Sequence, residues 1–322
     1  MRLRRRGPTR DERAALEGRV DELTGRLDHL YSAVDAWAAE VTALSGAIGE
    51  SHAANHATNQ RLDAVHGEAL LAQRALATAA FVSALPPQEL RVSVIVTTRG
   101  RPELLRRALA SVLAQTHDRW ELVVAFDPAE EPTAAIVAEL DDERVVPLDR
   151  RGLSRGPALN LALERATGDV VTYLDDDNVM LPQWLAALAW AFGRDPELEV
   201  AYGALSRQRD DADALPFLQF APWDPERLGR ENFVDQNVIG HRRGLPEARF
   251  DEELTSLHDW ELLLRLTAST MPRAIPILGA VYFTGAPQRL SDHDNALEVV
   301  ADIRARASAR RGSAGGPQGR QL

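Results

Sequence analysis

Apolar residues recur at alternating steps of four and three from Leu16 through Val20, Leu23 and Leu27 to Ile48. A 3.5-residue period sustained this long predicts a coiled coil rather than the broader apolar stripe of a globular helix. Thr9 and Glu12 have the spacing of a capping box at its start. In the same register the seam turns polar at Ser51, Asn55 and Thr58, then resumes in phase at Leu62, Val65, Ala69, Ala72 and Leu76. A polar side chain at an a position, here Asn55, can set register and strand number at a cost in stability. His52 and His56 flank it four apart, a spacing that can bind a metal on one helix face, and read more simply as exposed histidines on a weak stretch. Ser83-Ala84-Leu85-Pro86-Pro87 then breaks the helix. The expectation is a helical arm over residues 1–82 that makes the protein a homo-oligomer, followed by a linker over 83–90.

Past residue 90 the period changes. Residues 91–98, 120–126, 144–148 and 170–174 are short, β-branched apolar runs, and 103–115, 133–140 and 156–166 carry helical spacing between them. Continuous strands alternating with helices predict an α/β fold with a mostly parallel sheet, covered on both faces. In such sheets ligands gather at the carboxyl ends of the strands. Those ends are Thr97–Arg99, Phe126–Asp127 and Asp175–Asp177. Further on, Leu181-Pro182 opens a helix with Trp184 and Trp190, at least one of them expected in the core and Trp184 a candidate for stacking on an acceptor. Residues 200–205 read as a strand, and 207–228 lack periodicity, as a lid or a variable insertion would. Residues 232–242 read as a strand entered from a polar turn, 258–266 as an amphipathic helix with acids in its first turn, and 275–283 as an apolar strand. From Ser308 the chain is rich in glycine and poor in apolar residues, so 308–322 is expected to be disordered.

Composition narrows the classes. A net charge of −11 over 322 residues argues against nucleic acid as a partner. No cysteine means no disulfide, thiolate metal site or cysteine nucleophile. There is no lysine, so all 37 cationic residues are arginine. No apolar run approaches the ~20 residues of a transmembrane helix. The basic start, Met1 to Arg6, lacks the apolar stretch of a secretory signal. A cytoplasmic protein is the simplest reading. The basic start then reads as a frayed end, with peripheral contact to anionic lipid as the alternative.

Asp175, Asp176 and Asp177 repel one another at the end of a buried strand, and such a cluster calls for a cation. Hard carboxylate oxygens suit Mg²⁺ or Mn²⁺, which bind through one or two carboxylates plus substrate phosphates. The plain alternative is a solvated acidic turn that caps the next helix. Polar groups arriving at the same edge from two other strands weigh against it.

An ordered set of motifs resembles the family 2, GT-A-fold glycosyltransferases. It comprises the strand Val92–Thr98, the stretch from Arg101 to Thr116 (Arg-Pro-x-Leu-Leu-x-x-Ala-Leu-x-Ser-Val-Leu-x-Gln-Thr), Trp120–Val124, Gly156-x-x-x-Asn160, Ala166-x-Gly168-Asp169 and Leu174-Asp175-x-Asp177. It covers roughly residues 91–295, and the domain is expected to run over 91–307. The resemblance implies a nucleotide-diphosphate-sugar donor. It places Thr97, Thr98 and Arg99 at the base and ribose, with Asp127 at the base and Arg155 and Asn160 near the nucleotide and diphosphate. Asp175 and Asp177 match the Asp-x-Asp motif: Asp177 on the metal, Asp175 on ribose or a metal-bound water, Asp176 turned away and dispensable. His258-Asp259-Trp260-Glu261 resembles the family's acidic helix start, which makes Asp259 the catalytic base. His293 resembles a further metal ligand in a closing segment, and Asp235 and Asn237 are candidates for sugar hydroxyls. Two positions depart from the pattern: Phe126 replaces the first acid of a pair and either stacks on a base or packs, and His258 replaces an acid.

The expected function is an inverting, metal-dependent sugar transfer to a glycan, lipid-linked or small-molecule hydroxyl. A nucleotidyltransferase is disfavoured because the loop 97–102 has one glycine and no Gly-rich phosphate cradle. A coiled-coil scaffold with a degenerate, non-catalytic sugar-nucleotide domain is the alternative from another class.

Overall fold

A computed structural model describes residues 80–86, 88–208, 217–284 and 299–305, together with isolated positions between Arg10 and Ala77. Those isolated positions are all helical. Most of the heptad seam lies outside the described residues, as do His293 and the glycine-rich tail. The chain divides into two compact units, 1–62 and 63–322.

The second unit is built on β1 (Val92–Thr97), buried at every position. It pairs in parallel with β2 (Trp120–Phe126) on one side and β4 (Val170–Asp175) on the other, and β2 pairs with β3 (Val145–Asp149). Strand alternation sends Val92, Val94 and Val96 to one apolar cluster and Ile95 to the other; β4 divides likewise, with Leu174 on one face and Tyr173 on the opposite one. Both faces are therefore covered. Helix α1 (Pro102–Leu113) follows β1, α2 (Glu131–Ala138) follows β2 and α3 (Arg155–Arg165) leads into β4. The chain moves outward from β1 to β3 and then returns to the other flank at β4. This reversal places the carboxyl ends of β1 and β4 together, with Thr97 in register with Asp175.

The rest of the sheet is mixed. The two-residue strand β5 (Val179–Met180) precedes α4 (Trp184–Arg194), and β6 (Val200–Gln208) pairs with the short β7 (Phe217–Gln219). After α5 (Pro225–Leu228) come β8 (Ile239–Arg242), α6 (His258–Leu266) and β9 (Arg273–Phe283). The strand order is β3-β2-β1-β4-β8-β6-β9-β5, with β7 beside β6. Among the described residues no helix is long and apolar enough to cross a membrane.

Two expectations change. Residues 232–238 do not continue the strand. Asp235 accepts the backbone N–H of Asn237 and caps a single 3-10 turn, Gln236–Val238, because short polar side chains compete with the sheet for backbone partners. Trp184 faces no acceptor. It is fully buried, its indole N–H donates to Thr172 Oγ1 at 3.2 Å, and its ring lies where a Cβ on Gly203 or Gly279 would stand. Within the aperiodic stretch, β7 and α5 are ordered elements, and 209–216 lie outside the described residues.

Candidate active site

Five segments converge at the carboxyl ends of β1 and β4. The β1–α1 loop brings Arg101, the start of α3 brings Arg155, and β4 ends in the acidic triplet. The turn after α5 brings Asn232, Asp235 and Gln236, and α6 opens with His258 and Asp259. Together with Arg207 on β6 and Tyr282 on β9, most of these groups line one cavity of about 450 Å³.

The triplet separates by role. Asp175 accepts from Arg155 Nη2 at 2.5 Å and from Asn237 Nδ2 at 3.1 Å, while its own N–H donates to Asn237 Oδ1. Burial pushes its pKa up, but the Arg155 charge and these hydrogen bonds outweigh it, so the carboxyl stays below the ordinary range. Asp176 points away from the cavity, as expected, but not into solvent. It is fully buried, takes the Thr98 hydroxyl at 2.5 Å, and receives Arg101 through both Nε and Nη2. Burial raises it to about 6 against the pull of Arg101, so it is ionised at neutral pH. The expectation that it is dispensable does not fit this arrangement, because an unpaired buried arginine would be left behind. Asp177 faces the cavity, accepts Arg101 Nη1 at 2.9 Å and has its carbonyl held by Arg107. Burial and Asp175 raise its pKa.

Asp259 lies across the cavity in the first turn of α6. The preceding Leu257 holds a left-handed backbone (φ 56°), uncommon for a side chain of its size, which turns the helix start into the cavity. Burial raises the Asp259 pKa, and a hydrogen bond from Asn232 Nδ2 at 2.8 Å opposes the rise. His258 is buried and held at about 4 by desolvation and then by Arg155, so it is neutral at physiological pH. Asp235 is pushed to about 7 by burial and the neighbouring Asp259 and Asp175, with Arg207 at 3.7 Å. Among the described residues, the buried Asn232 Oδ1, Gln236 Nε2 and His258 Nε2 find no hydrogen-bond partner. The site thus holds hydrogen-bonding capacity for a polar ligand that the described residues do not use.

A second hollow of about 230 Å³ is lined by Thr98, Arg99, Asp127 and Arg150, among others. Asp127 accepts Ala129 N–H in a tight turn there, and Arg150 ties this wall to β1 by donating to the Thr98 carbonyl. Thr97 is buried behind it. The residues expected around a nucleotide are therefore divided, with Thr98, Arg99 and Asp127 in one hollow and Arg155, Asp175 and Asp177 in the other. Phe126 packs into the core. Asn160 lies in neither hollow. Its amide brackets Phe250, accepting the N–H and donating to the carbonyl, and also donates to Glu252. Asn237 is fully buried and spent on Asp175 and Asp235.

Asp175 and Asp177 present the oxygen donors that a hard divalent cation takes when phosphates complete its shell. Their paired arginines would have to share them. Among the described residues no group of three or more His, Asp or Glu forms a closed metal site. The residues that sequence reading passed over as site groups are Arg101, Arg207, Asn232, Gln236 and Tyr282. Only Arg101 had a signal: three consecutive acids at the end of a buried strand require a nearby cation.

A sheet with a parallel first half, paired carboxylates at its switch point and an acidic helix start facing them has the architecture of the GT-A fold. The description "Glycosyl transferase family 2" matches residues 93–250. Protein CgeD of Bacillus subtilis is 36% identical over 121 residues, which cover 35% of this chain and 28% of CgeD. The putative colanic acid biosynthesis glycosyl transferase WcaA of Escherichia coli is 25% identical over 224 residues, 63% of this chain and 78% of WcaA. The crystal structure of S. aureus TarS 1-349 in complex with UDP-GlcNAc shares the fold, with a TM-score of 0.59 at 18% identity, covering 71% of this chain and 68% of that one. Residues 93–250, just under half of the chain, carry this family likeness. The chain spans about a third or less of the length of the first curated relatives it matches, 28% and 33%.

Proposed function

We propose that the protein transfers a sugar from a nucleotide-diphosphate donor to an acceptor hydroxyl, with inversion at the anomeric carbon. The observation that carries this reading is that Asp259 shares one cavity with Asp175 and Asp177. The acceptor oxygen attacks the anomeric carbon as the bond to the diphosphate oxygen breaks. The hydroxyl proton passes to Asp259, and the nucleoside diphosphate leaves. Burial supports this role for Asp259, since it raises the carboxylate's basicity. Arg155 and Arg101 stand where negative charge grows on the leaving group, and Thr98, Arg99 and Asp127 hold the nucleoside. A divalent cation, Mg²⁺ or Mn²⁺, held by Asp177 with Asp175, would neutralise the departing diphosphate. The acceptor is a glycan, a lipid-linked sugar or a small molecule.

The test is a thermal-shift screen of nucleotide sugars with and without Mn²⁺, followed by transfer assays on the donor that raises the melting point. The expected product has inverted anomeric configuration by NMR, and activity is lost on chelation. Retention of configuration would remove the direct displacement, and turnover undiminished in EDTA would remove the metal. Tight nucleotide binding without turnover on any acceptor would favour the scaffold reading. We also propose that the heptad seam of the N-terminal arm joins two or more copies of the chain.

A further inference from the structure

Arg101 is the cation beside the acidic triplet, and it serves two carboxylates at once. It stands at the start of α1, 17% exposed, with Nε at 3.2 Å from Asp176 Oδ2 and Nη2 on Asp176 Oδ1. One edge of the guanidinium is thus committed to a carboxylate that never faces the cavity. Asp176 is held in turn by the Thr98 hydroxyl. The other edge, Nη1, reaches Asp177 Oδ2 at 2.9 Å, inside the cavity. Arginine stays charged at all working pH values, and its planar fork can keep one anion while exchanging another.

Resting on the nucleotide-diphosphate reading above, we propose that Arg101, positioned by Asp176, is a resident counter-cation that serves two anions in turn. In the free protein it neutralises Asp177. In the complex its Nη1 edge turns to a phosphate oxygen of the nucleoside diphosphate and releases Asp177. Asp176 keeps the guanidinium in place during the exchange, which is why the residue between the two cavity-facing acids is itself an acid. The arrangement has a signature with opposite signs. Arg101 competes with a divalent cation for Asp177 but assists the diphosphate. A guanidinium that merely clamped the β1–α1 loop to β4 would strengthen both ligands or neither.

The experiment is isothermal titration of the full-length protein, R101Q and D176N with Mn²⁺ alone, and with UDP or GDP in EDTA, whichever the unmodified protein binds. R101Q is expected to bind the nucleoside diphosphate about tenfold more weakly, the loss typical of a hydrogen bond to a charged group. The same variant is expected to bind Mn²⁺ alone more tightly. D176N is expected to weaken the diphosphate as well, while the double variant is no weaker than R101Q, because Asp176 acts only through Arg101. Affinities for Mn²⁺ and diphosphate that move together in R101Q, or stay unchanged, overturn the proposal. If R101Q does not fold by circular dichroism, R101K must show the same opposed shifts in smaller degree, and their absence counts equally against it. Failure of the unmodified protein to bind UDP or GDP is a different result, and removes the nucleotide site itself.

Discussion

Asp259 is governed by two opposed local effects, and both can be tested. Burial favours its protonated form and the Asn232 amide favours the anion. As the proposed base it must be the anion, so activity should rise with pH through a value above the ordinary aspartate range. Asn232→Leu removes the bond that favours the charge, and kcat/KM profiles should show that acid limb moved to higher pH. Asp259→Asn should lower turnover by about 10²–10⁴-fold, the usual contribution of a positioned base, with nucleotide binding by thermal shift retained. His258, neutral down to about pH 4, does not set this limb, so His258→Gln should leave it in place.

Among the elements, the joints between distant strands set the stability. Trp184 of α4 fills the space that glycines on β6 and β9 leave open, with Cβ positions within 2.8 Å of the ring. Gly203→Ala or Gly279→Ala should destabilise by about 1–3 kcal/mol in urea unfolding, the cost of overpacking a rigid core. His241 of β8 meets the Tyr173 hydroxyl of β4 at 2.7 Å, and burial holds its pKa at about 4 against an ordinary 6.5. Between those values the unfolded chain binds the proton and the folded chain does not. The stability is therefore present above pH 6.5 and is lost as pH falls toward 4. The expected loss is up to about 3 kcal/mol, and His241→Gln should flatten that part of the stability–pH curve. Asn160 is a joint of the same kind, between α3 and the segment that leads to α6.

For the whole molecule, the N-terminal seam sets the expected number of copies. Leu76, a seam position, is 72% exposed in the single chain, whereas Val82 and Leu85 pack on the core of the second unit. A heptad seam gains its stability only when a partner covers it. Sedimentation should therefore show an oligomer for the full chain and a monomer for a chain beginning at residue 78, which keeps Val82. A monomer in both would remove the arm's proposed role.

The sequence by itself determined the order of the main strands and helices, the strand ends that gather at one edge, and the acids that stand there. Those features are written in local periods and turn residues, which neighbours along the chain decide. The coiled-coil period is equally local, but pairing is not. Only the tertiary structure decided that Asp176 anchors Arg101, that Asn160 brackets Phe250 rather than facing a ligand, and that Trp184 is core. It likewise brought Arg207, Asn232 and Tyr282 to the cavity and split the residues expected around a nucleotide between two hollows. Each of these depends on partners 75 to 90 residues apart, or on the shape left between strands that are not neighbours in sequence, as with Arg101–Asp176 and Asn160–Phe250. No local pattern carries that information, because the same asparagine or arginine can satisfy its hydrogen bonds with ligand or with protein, and only the packed geometry selects which.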